Sequence, residues 1–244
     1  MTATTSPLKI TLFTRSLNQG GAERQLLYLA RGLKKLGHEV TVLTLYAPTD
    51  DWYPHDDIKL HHLNKKSRWD VFGFAKSYIS FLKSEQPDVL YSFLTVQNII
   101  ACMTSLFTKI KIICGVRASD MDLSRYSQVD IWLDRLEKIL FRLDVRIISN
   151  SHAGKAWIIQ KHPFLDDKID VIPNGIDLAD CTYSVDSRKN YRKLWGVTDQ
   201  EILIGHVGRY DPMKDHTTFI KAAQIVLQKL PCARFVCWGH GPDD

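Results

Sequence analysis

The sequence predicts an α/β fold built on a twisted, mainly parallel sheet with helices on both faces. Three observations carry that expectation. Short apolar runs of strand character recur along the first 175 residues and alternate with helical patterns, the signature of repeated strand–helix–strand units. The segment from Gly21 to Leu36 carries a sustained apolar stripe of helical period. After residue 198 the order strand, helix, strand begins again.

Taken in order, the strand-like runs are Leu8 to Phe13, Glu39 to Leu45, Ile58 to Leu63, Asp88 to Tyr91, Ile110 to Cys114, Val145 to Ser149 and Ile169 to Ile172. Between the first two, Leu26, Leu29, Ala30, Leu33 and Leu36 share one helix face, while Arg24, Arg31, Lys34 and Lys35 lie away from it. Gly37 is a natural helix stop. Trp132, Leu133, Leu136, Ile139, Leu140 and Leu143 form a further helix face. With Arg135, Lys138, Arg142 and Arg146 nearby it could lie on a membrane, but Asp134, Glu137 and Asp144 dilute the charge and favour a core helix with a solvated side. Pro173-Asn174-Gly175 breaks the last strand, and Asp177 to Ser187 lacks periodicity. The expected organisation is a Rossmann-like domain over 1–175, a linker over 176–198, and the first part of a second Rossmann-like domain over 199–244.

The second segment holds the most informative local pattern. Ile202, Leu203, Ile204 and Val207 read as a parallel strand covered on both faces, and Gly208 ends it. Asp215 can cap a helix through Phe219, Ala222, Ala223, Val226 and Leu230, and a strand from Ala233 to Trp238 follows before Gly239-His240-Gly241-Pro242 turns the chain. Arg209 and Lys214 therefore flank a helix start. Free backbone N–H groups, the positive end of the helix dipole and two cations at one place suit phosphate oxygens. An arbitrary Arg and Lys pair would more simply be solvated surface charges; it is the rest of the chain that favours an anion site.

Bulk properties bound the function without choosing it. A chain of 244 residues buries a good core as one large or two smaller domains. A net charge of +5 suits an anionic ligand, an acidic membrane surface or nucleic acid. No basic stripe interleaved with aromatics supports the last of these, so no nucleic-acid partner is expected. The five cysteines, Cys102, Cys114, Cys181, Cys232 and Cys237, have no disulfide or zinc spacing, which points to a reducing cytoplasm. Met1 to Ser6 lacks a signal pattern and no apolar run is long enough to span a bilayer; the expectation is a soluble or peripheral protein. Lys65, Lys66, Arg68 and Trp69 make the better peripheral patch, facing anionic lipid or water.

Ligands of open α/β sheets gather at the C-terminal strand ends. Gly20 and Gly21 lie in the first such loop, where the N–H groups of Gly21 and Ala22 could approach a ligand closely; a plain tight turn explains the pair equally well. The glycine spacing matches neither a Walker loop nor a dinucleotide fingerprint. Asp120-Met121-Asp122 has no further ligand cluster, so capping or an acceptor loop fits better than metal binding, and no metal site is expected. Arg117, beside it at a strand exit, is a candidate for contacting an acceptor. His152 follows Asn150-Ser151 at a strand-to-helix junction and reads as a cap-region residue before a general base. Glu23 needs no more than its first-turn position. The carboxylates form no acid/base pair, which removes glycosidase-type hydrolysis.

In sequence order, Gly20-Gly21-Ala22-Glu23-Arg24, Leu36-Gly37-His38-Glu39-Val40, Ser149-Asn150-Ser151, Val171-Ile172-Pro173-Asn174-Gly175-Ile176-Asp177, and Val207-Gly208-Arg209 with Lys214 resemble glycosyltransferase family 4, enzymes of the two-domain GT-B fold. Each motif is modest alone; their shared order over nearly the whole chain is specific. The resemblance implies transfer of a sugar from a nucleotide-diphosphate donor, bound between two domains, to a glycan or lipid-linked acceptor with retention of configuration. It places that activity in surface polysaccharide or glycoconjugate biosynthesis. Arg209 and Lys214 would stabilise the leaving diphosphate. Gly20 and Gly21 would face the phosphates or sugar, and Arg117, His152, Asn174, Gly239 and Gly241 would complete the substrate-binding set. It further implies no metal and no cofactor beyond the nucleotide-sugar co-substrate; peripheral contact with the inner face of a membrane is an expectation that rests on the Lys65, Lys66, Arg68 and Trp69 patch. In this family several strands and helices follow the counterpart of Gly241, including a loop with two glutamates that holds the ribose. The expectation is a chain truncated within its second domain, and a second reading stands beside the first: a truncated GT-B-like binding module that does not transfer sugar, or one completed by a partner chain.

Overall fold

The computed structural model describes residues 6–49, 54–67, 69–117, 127–239 and 241. The Asp120-Met121-Asp122 pair, Arg68 and His240 lie outside the described residues. Seven parallel strands form the main sheet: β1 (Lys9–Thr14), β2 (Glu39–Thr44), β3 (Lys59–His62), β4 (Val89–Phe93), β5 (Lys111–Val116), β6 (Arg146–Ser149) and β7 (Ile169–Val171). All seven expected runs are strands. Their order is β3-β2-β1-β4-β5-β6-β7, so the winding reverses between β1 and β4. In an open sheet that reversal opens a crevice at the strands' C-terminal ends.

The strands form where they do because both faces are buried. In β1, Leu12 packs with Leu26, Leu27 and Ala30, whereas its neighbour Phe13 packs with Tyr78 and Phe81 on the opposite face. Each fully buried side chain of this kind contributes about 1.5–3 kcal/mol. The first helix, α1 (Gly21–Lys35), supplies the former face: Leu26 and Ala30 of the expected stripe are buried, Leu29 and Leu33 are half-buried, and Leu27, outside that stripe, is buried too, while Leu36, expected on the same face, is exposed. Gly37 ends it at φ 91°, its N–H donating to the Lys34 carbonyl at 3.0 Å. Helices α2 (Val71–Glu85), α3 (Thr95–Ser105), α4 (Gln128–Leu140) and α5 (His152–Lys161) follow β3, β4, β5 and β6 in turn.

One helix face departs from expectation. In α4, Trp132 and Ile139 are exposed, while Glu137 and Lys138 are buried. The burial of charge is compensated: Asn98 Nδ2 donates to Glu137 Oε1 at 2.7 Å, and Lys138 Nζ lies 2.5 Å from Glu137 and 3.2 Å from Asp134. Burial works against the Lys138 charge, but the two carboxylates outweigh it and raise its pKa.

The chain divides into two compact units, Met1–Asp177 and Leu178–Asp244. The stretch read as a linker holds a helix, α6 (Val185–Leu194), within the second unit. Its polar composition hides an aromatic seam, in which Tyr191 and Trp195 pack 6.1 and 5.4 Å from Trp238. Parallel strands β8 (Ile202–Val207) and β9 (Ala233–Trp238) pair in register from Ile202↔Ala233 to Val207↔Trp238, with α7 (His216–Lys229) between them in sequence. The expected two-sided cover of β8 is not found: Val207 is 78% exposed, because among the described residues this sheet has two strands. Side-chain bonds reinforce the unit, with Arg192 donating to the carbonyls of Thr198 and Glu201, and Arg234 pairing with Glu201. Among the described residues, no helix is long and apolar enough to cross a membrane.

Candidate functional site

In the first unit the relevant residues gather at the C-terminal ends of the strands. Gly20 is the N-cap of α1 in an extended conformation, with no side-chain hydrogen bond to the cap. The backbone bonding of the helix begins with the Arg24 N–H, which donates to the Gly20 carbonyl at 3.2 Å, so the N–H groups of Gly21 and Ala22 lie before its first intrahelical bond. A Cβ on Gly20 would collide with the folded-back Glu23 carboxylate, whereas one on Gly21 would meet nothing within 4 Å. The turn is therefore open at Gly21.

Arg117 leaves β5 and is held on three sides. Its Nη1 donates to Asn174 Oδ1 at 3.0 Å, its Nη2 to Tyr91 Oη at 3.1 Å, and its guanidinium stacks 4.3 Å over the Phe93 ring. Burial lowers its pKa from the usual arginine value, with Tyr91 acting in the opposite direction. Its buried Nε has no partner among the described residues. Two expected site residues, Arg117 and Asn174, are thus in direct contact. Next to Asn174, Gly175 is gripped by Gln25 of α1: the Gln25 amide donates to the Gly175 carbonyl at 2.7 Å and accepts from its N–H at 3.0 Å. His152 opens α5 and is exposed; Ser151 caps the helix by accepting from the Gly154 N–H at 3.0 Å. An open depression of about 470 Å³ lies beyond β1, β2 and β3, lined by Arg15, Ser16, Asn18, Tyr46, Asn64 and Lys65 among others.

The second unit builds its cationic loop at the exit of β8. The Gly208 N–H donates to the Trp238 carbonyl at 2.9 Å, continuing the strand pairing. Gly239 follows Trp238 at φ 153°, and a Cβ there would overlap the Gly208 carbonyl. Only glycine fits. The aliphatic stem of Lys214 passes over Gly208, with Cγ and Cδ 3.3 Å from where a Cβ would stand. Lys214 Nζ makes no hydrogen bond or ion pair among the described residues and is exposed. Arg209 pairs with Asp211, Nη2 to Oδ2 at 3.0 Å, while Asp211 Oδ1 accepts from the Met213 N–H at 2.9 Å. That backbone bond, then Arg209, holds the Asp211 carboxyl below the usual aspartate range. Asp215 caps α7 as expected, accepting from the Thr218 N–H at 3.3 Å. Beneath the loop the His206 and His216 rings meet edge to face at 4.6 Å. Gly241 is exposed.

Arg209, Lys214 and Gly239 thus share one loop system. Sequence reasoning missed Asp211, Gln25 and Tyr91. Only Asp211 carried a local signal, an Asp before a Pro two positions after the arginine, which is a turn opener. Among the described residues no group of three or more His, Cys, Asp or Glu could hold a metal ion.

A family profile described as Glycosyltransferase Family 4 matches residues 19–180. The Escherichia coli UDP-Gal:alpha-D-GlcNAc-diphosphoundecaprenol alpha-1,3-galactosyltransferase is 25% identical over 173 residues, 68% of this chain and 44% of that protein. A Campylobacter jejuni alpha-1,4-N-acetyl-D-galactosaminyltransferase, named for an undecaprenol-linked acceptor, is 29% identical over 133 residues, 51% of this chain and 35% of that one. The matched stretches span 30% to 57% of the curated relatives' own length. Among solved structures, Anabaena HepE in complex with UDP and glucose superposes with a TM-score of 0.76 at 19% identity, over 96% of this chain and 61% of that one. WaaG, a glycosyltransferase involved in lipopolysaccharide biosynthesis, gives 0.62 at 14% identity, over 94% and 70%. The fold is the one shared by GT-B glycosyltransferases.

Proposed function

The chain belongs to glycosyltransferase family 4, and we propose that it transfers a sugar from a nucleotide diphosphate to a lipid-linked or glycan acceptor with retention of configuration. One observation supports this above the others: Lys214 is laid over Gly208 with an uncommitted ammonium, next to an Arg209 steadied by Asp211. Two cations set this way meet the charge that develops on a departing diphosphate without moving a proton, the kind of electrostatic stabilisation that dominates such steps. For Gly20 and Gly21 the proposal is contact with the donor's phosphates or sugar, and for the depression around Arg15, Asn18 and Asn64, contact with the acceptor. The relatives named for undecaprenol-linked substrates support a lipid-linked acceptor, and the UDP complexes of HepE support a uridine donor. The same protein cations would make a divalent ion unnecessary, so transfer is expected to persist in a chelator. Production of surface polysaccharide or glycoconjugate in the cytoplasm completes this reading.

Binding of UDP by calorimetry tests the assignment. Arg209→Ala and Lys214→Ala should each weaken it about tenfold or more, as expected for loss of a charge-assisted bond; unchanged affinity in both variants overturns the assigned role. The anomeric configuration of the product, followed by NMR, tests retention. The half-exposed two-stranded sheet of the second unit favours one other reading, a module that binds UDP without transferring sugar, which UDP binding with no turnover would select. For the membrane, the supporting feature is Trp69 and Phe72, 84% and 92% exposed beside Lys66 and Lys76. Co-sedimentation with vesicles containing anionic lipid should fall on Phe72→Ser.

A further inference from the structure

The last residues of the first unit are held by side chains from the β5 exit and from α1. Asn174 accepts from Arg117 at the exit of β5, and Gly175 exchanges both of its backbone hydrogen bonds with Gln25 of α1. A single amide that satisfies the N–H and C=O of one residue imitates a strand partner and fixes the peptide planes on both sides of it. The unit boundary falls two residues later, at Asp177. Gln25 lies one turn inside the helix that opens with Gly20-Gly21. The Gly20-Gly21 turn and the residue bonded to Gly175 thus lie on one helix.

We propose that Gln25, assisted by Arg117, is a positioning residue that fixes Asn174-Gly175 and so sets the point at which the chain leaves the first unit, tied to the helix bearing Gly20-Gly21. The tie to Gly20-Gly21 rests on the sugar-nucleotide reading; the clamp itself does not. With Gln25 in place, the connection can change direction only after Gly175, and a shift of the α1 N-terminus on anion binding is passed to that point directly. Without it, Ile172 stays bonded to Ser149 and Asn174 to Arg117, so the freed segment begins at Gly175, and its position no longer follows α1. Arg117 contributes orientation through its fixed fork, which a lysine cannot reproduce.

Hydrogen exchange on the whole chain tests the clamp without any ligand. In Gln25→Leu, which keeps the shape and removes both bonds, exchange of the Gly175 amide should rise about tenfold, the change expected for loss of about one local hydrogen-bond pair. Gln25→Glu, which still accepts from that N–H, should rise less. Amides of β1 and β4 should not change in either. Unaltered exchange at Gly175 in Gln25→Leu, or an equal rise throughout the first unit, overturns the proposal. UDP affinity should then fall severalfold in Gln25→Leu; equal affinity in wild type and variant overturns the tie to the α1 turn. Absence of UDP binding by the wild type would instead count against the transferase reading, with exchange still deciding the clamp.

Discussion

Two strands of this protein, β1 and β8, run into glycine turns, and the glycines are required for different reasons. At the β8 exit the chain's own packing closes round Gly208: the Lys214 stem crosses over it, and Gly239, at the end of β9, lies so close that a Cβ there would overlap the Gly208 carbonyl. At the β1 exit, Gly21 faces open space and no residue would meet its Cβ within 4 Å. The first kind of glycine builds a site. The second leaves open space beside the first turn of α1, where contact with the donor is proposed.

The contrast breaks most visibly at Gly239. Gly239→Ala combines a backbone at φ 153°, a region side chains rarely adopt, with a collision against fixed backbone. The expected loss is about 3 kcal/mol, confined to the second unit. Exchange of β8 and β9 amides at rising urea should shift to lower concentration while β1 and β4 amides hold. A variant as stable as the wild type in β8 and β9 would show that packing does not dictate this glycine.

Gly21→Ala sharpens the opposite side. With open space around it and a helix start in place of a glycine, the substitution should leave thermal stability unchanged or improve it by up to about 0.5 kcal/mol. UDP affinity should nonetheless drop about fivefold, because the added methyl occupies the approach to the first N–H groups. A stable variant with undiminished affinity would return this turn to a plain structural role.

The same distinction explains what could be read from the sequence. Parallel strands buried on both faces leave continuous apolar runs, so all seven strands of the first unit were legible to within a residue or two at each end. Arg209, Lys214 and the Asp215 cap were legible because their relation is local. The helix α6 was not, since its own Tyr191 and the Trp195 at its end, set among polar residues, pack on Trp238, which lies far along the chain. The inward face of α4 was misread because Glu137 can be buried only with Asn98, which lies 39 residues away. Gln25 and Gly175 are separated by 150 residues and Arg117 and Asn174 by 57, and nothing in periodicity or spacing announces such pairs.

The smallest expected effect concerns how firmly the β8 loop holds its arginine. Asp211→Asn keeps an acceptor for the Met213 N–H but removes the charge facing Arg209, whose side chain is 65% exposed. An exposed pair is worth about 0.5 kcal/mol, so UDP affinity should fall only two- to threefold. The pH dependence gives the sign. Because the folded protein holds the Asp211 carboxyl below its ordinary value of 3.8, its contribution is complete at neutral pH and is lost only as pH falls through that lowered value. Wild type and Asp211→Asn should therefore differ by the same factor from pH 7 down to about 5 and converge only in stronger acid. A difference that fades already between pH 7 and 6 would mean that another group orients Arg209, and the self-contained character of the β8 turn would have to be given up.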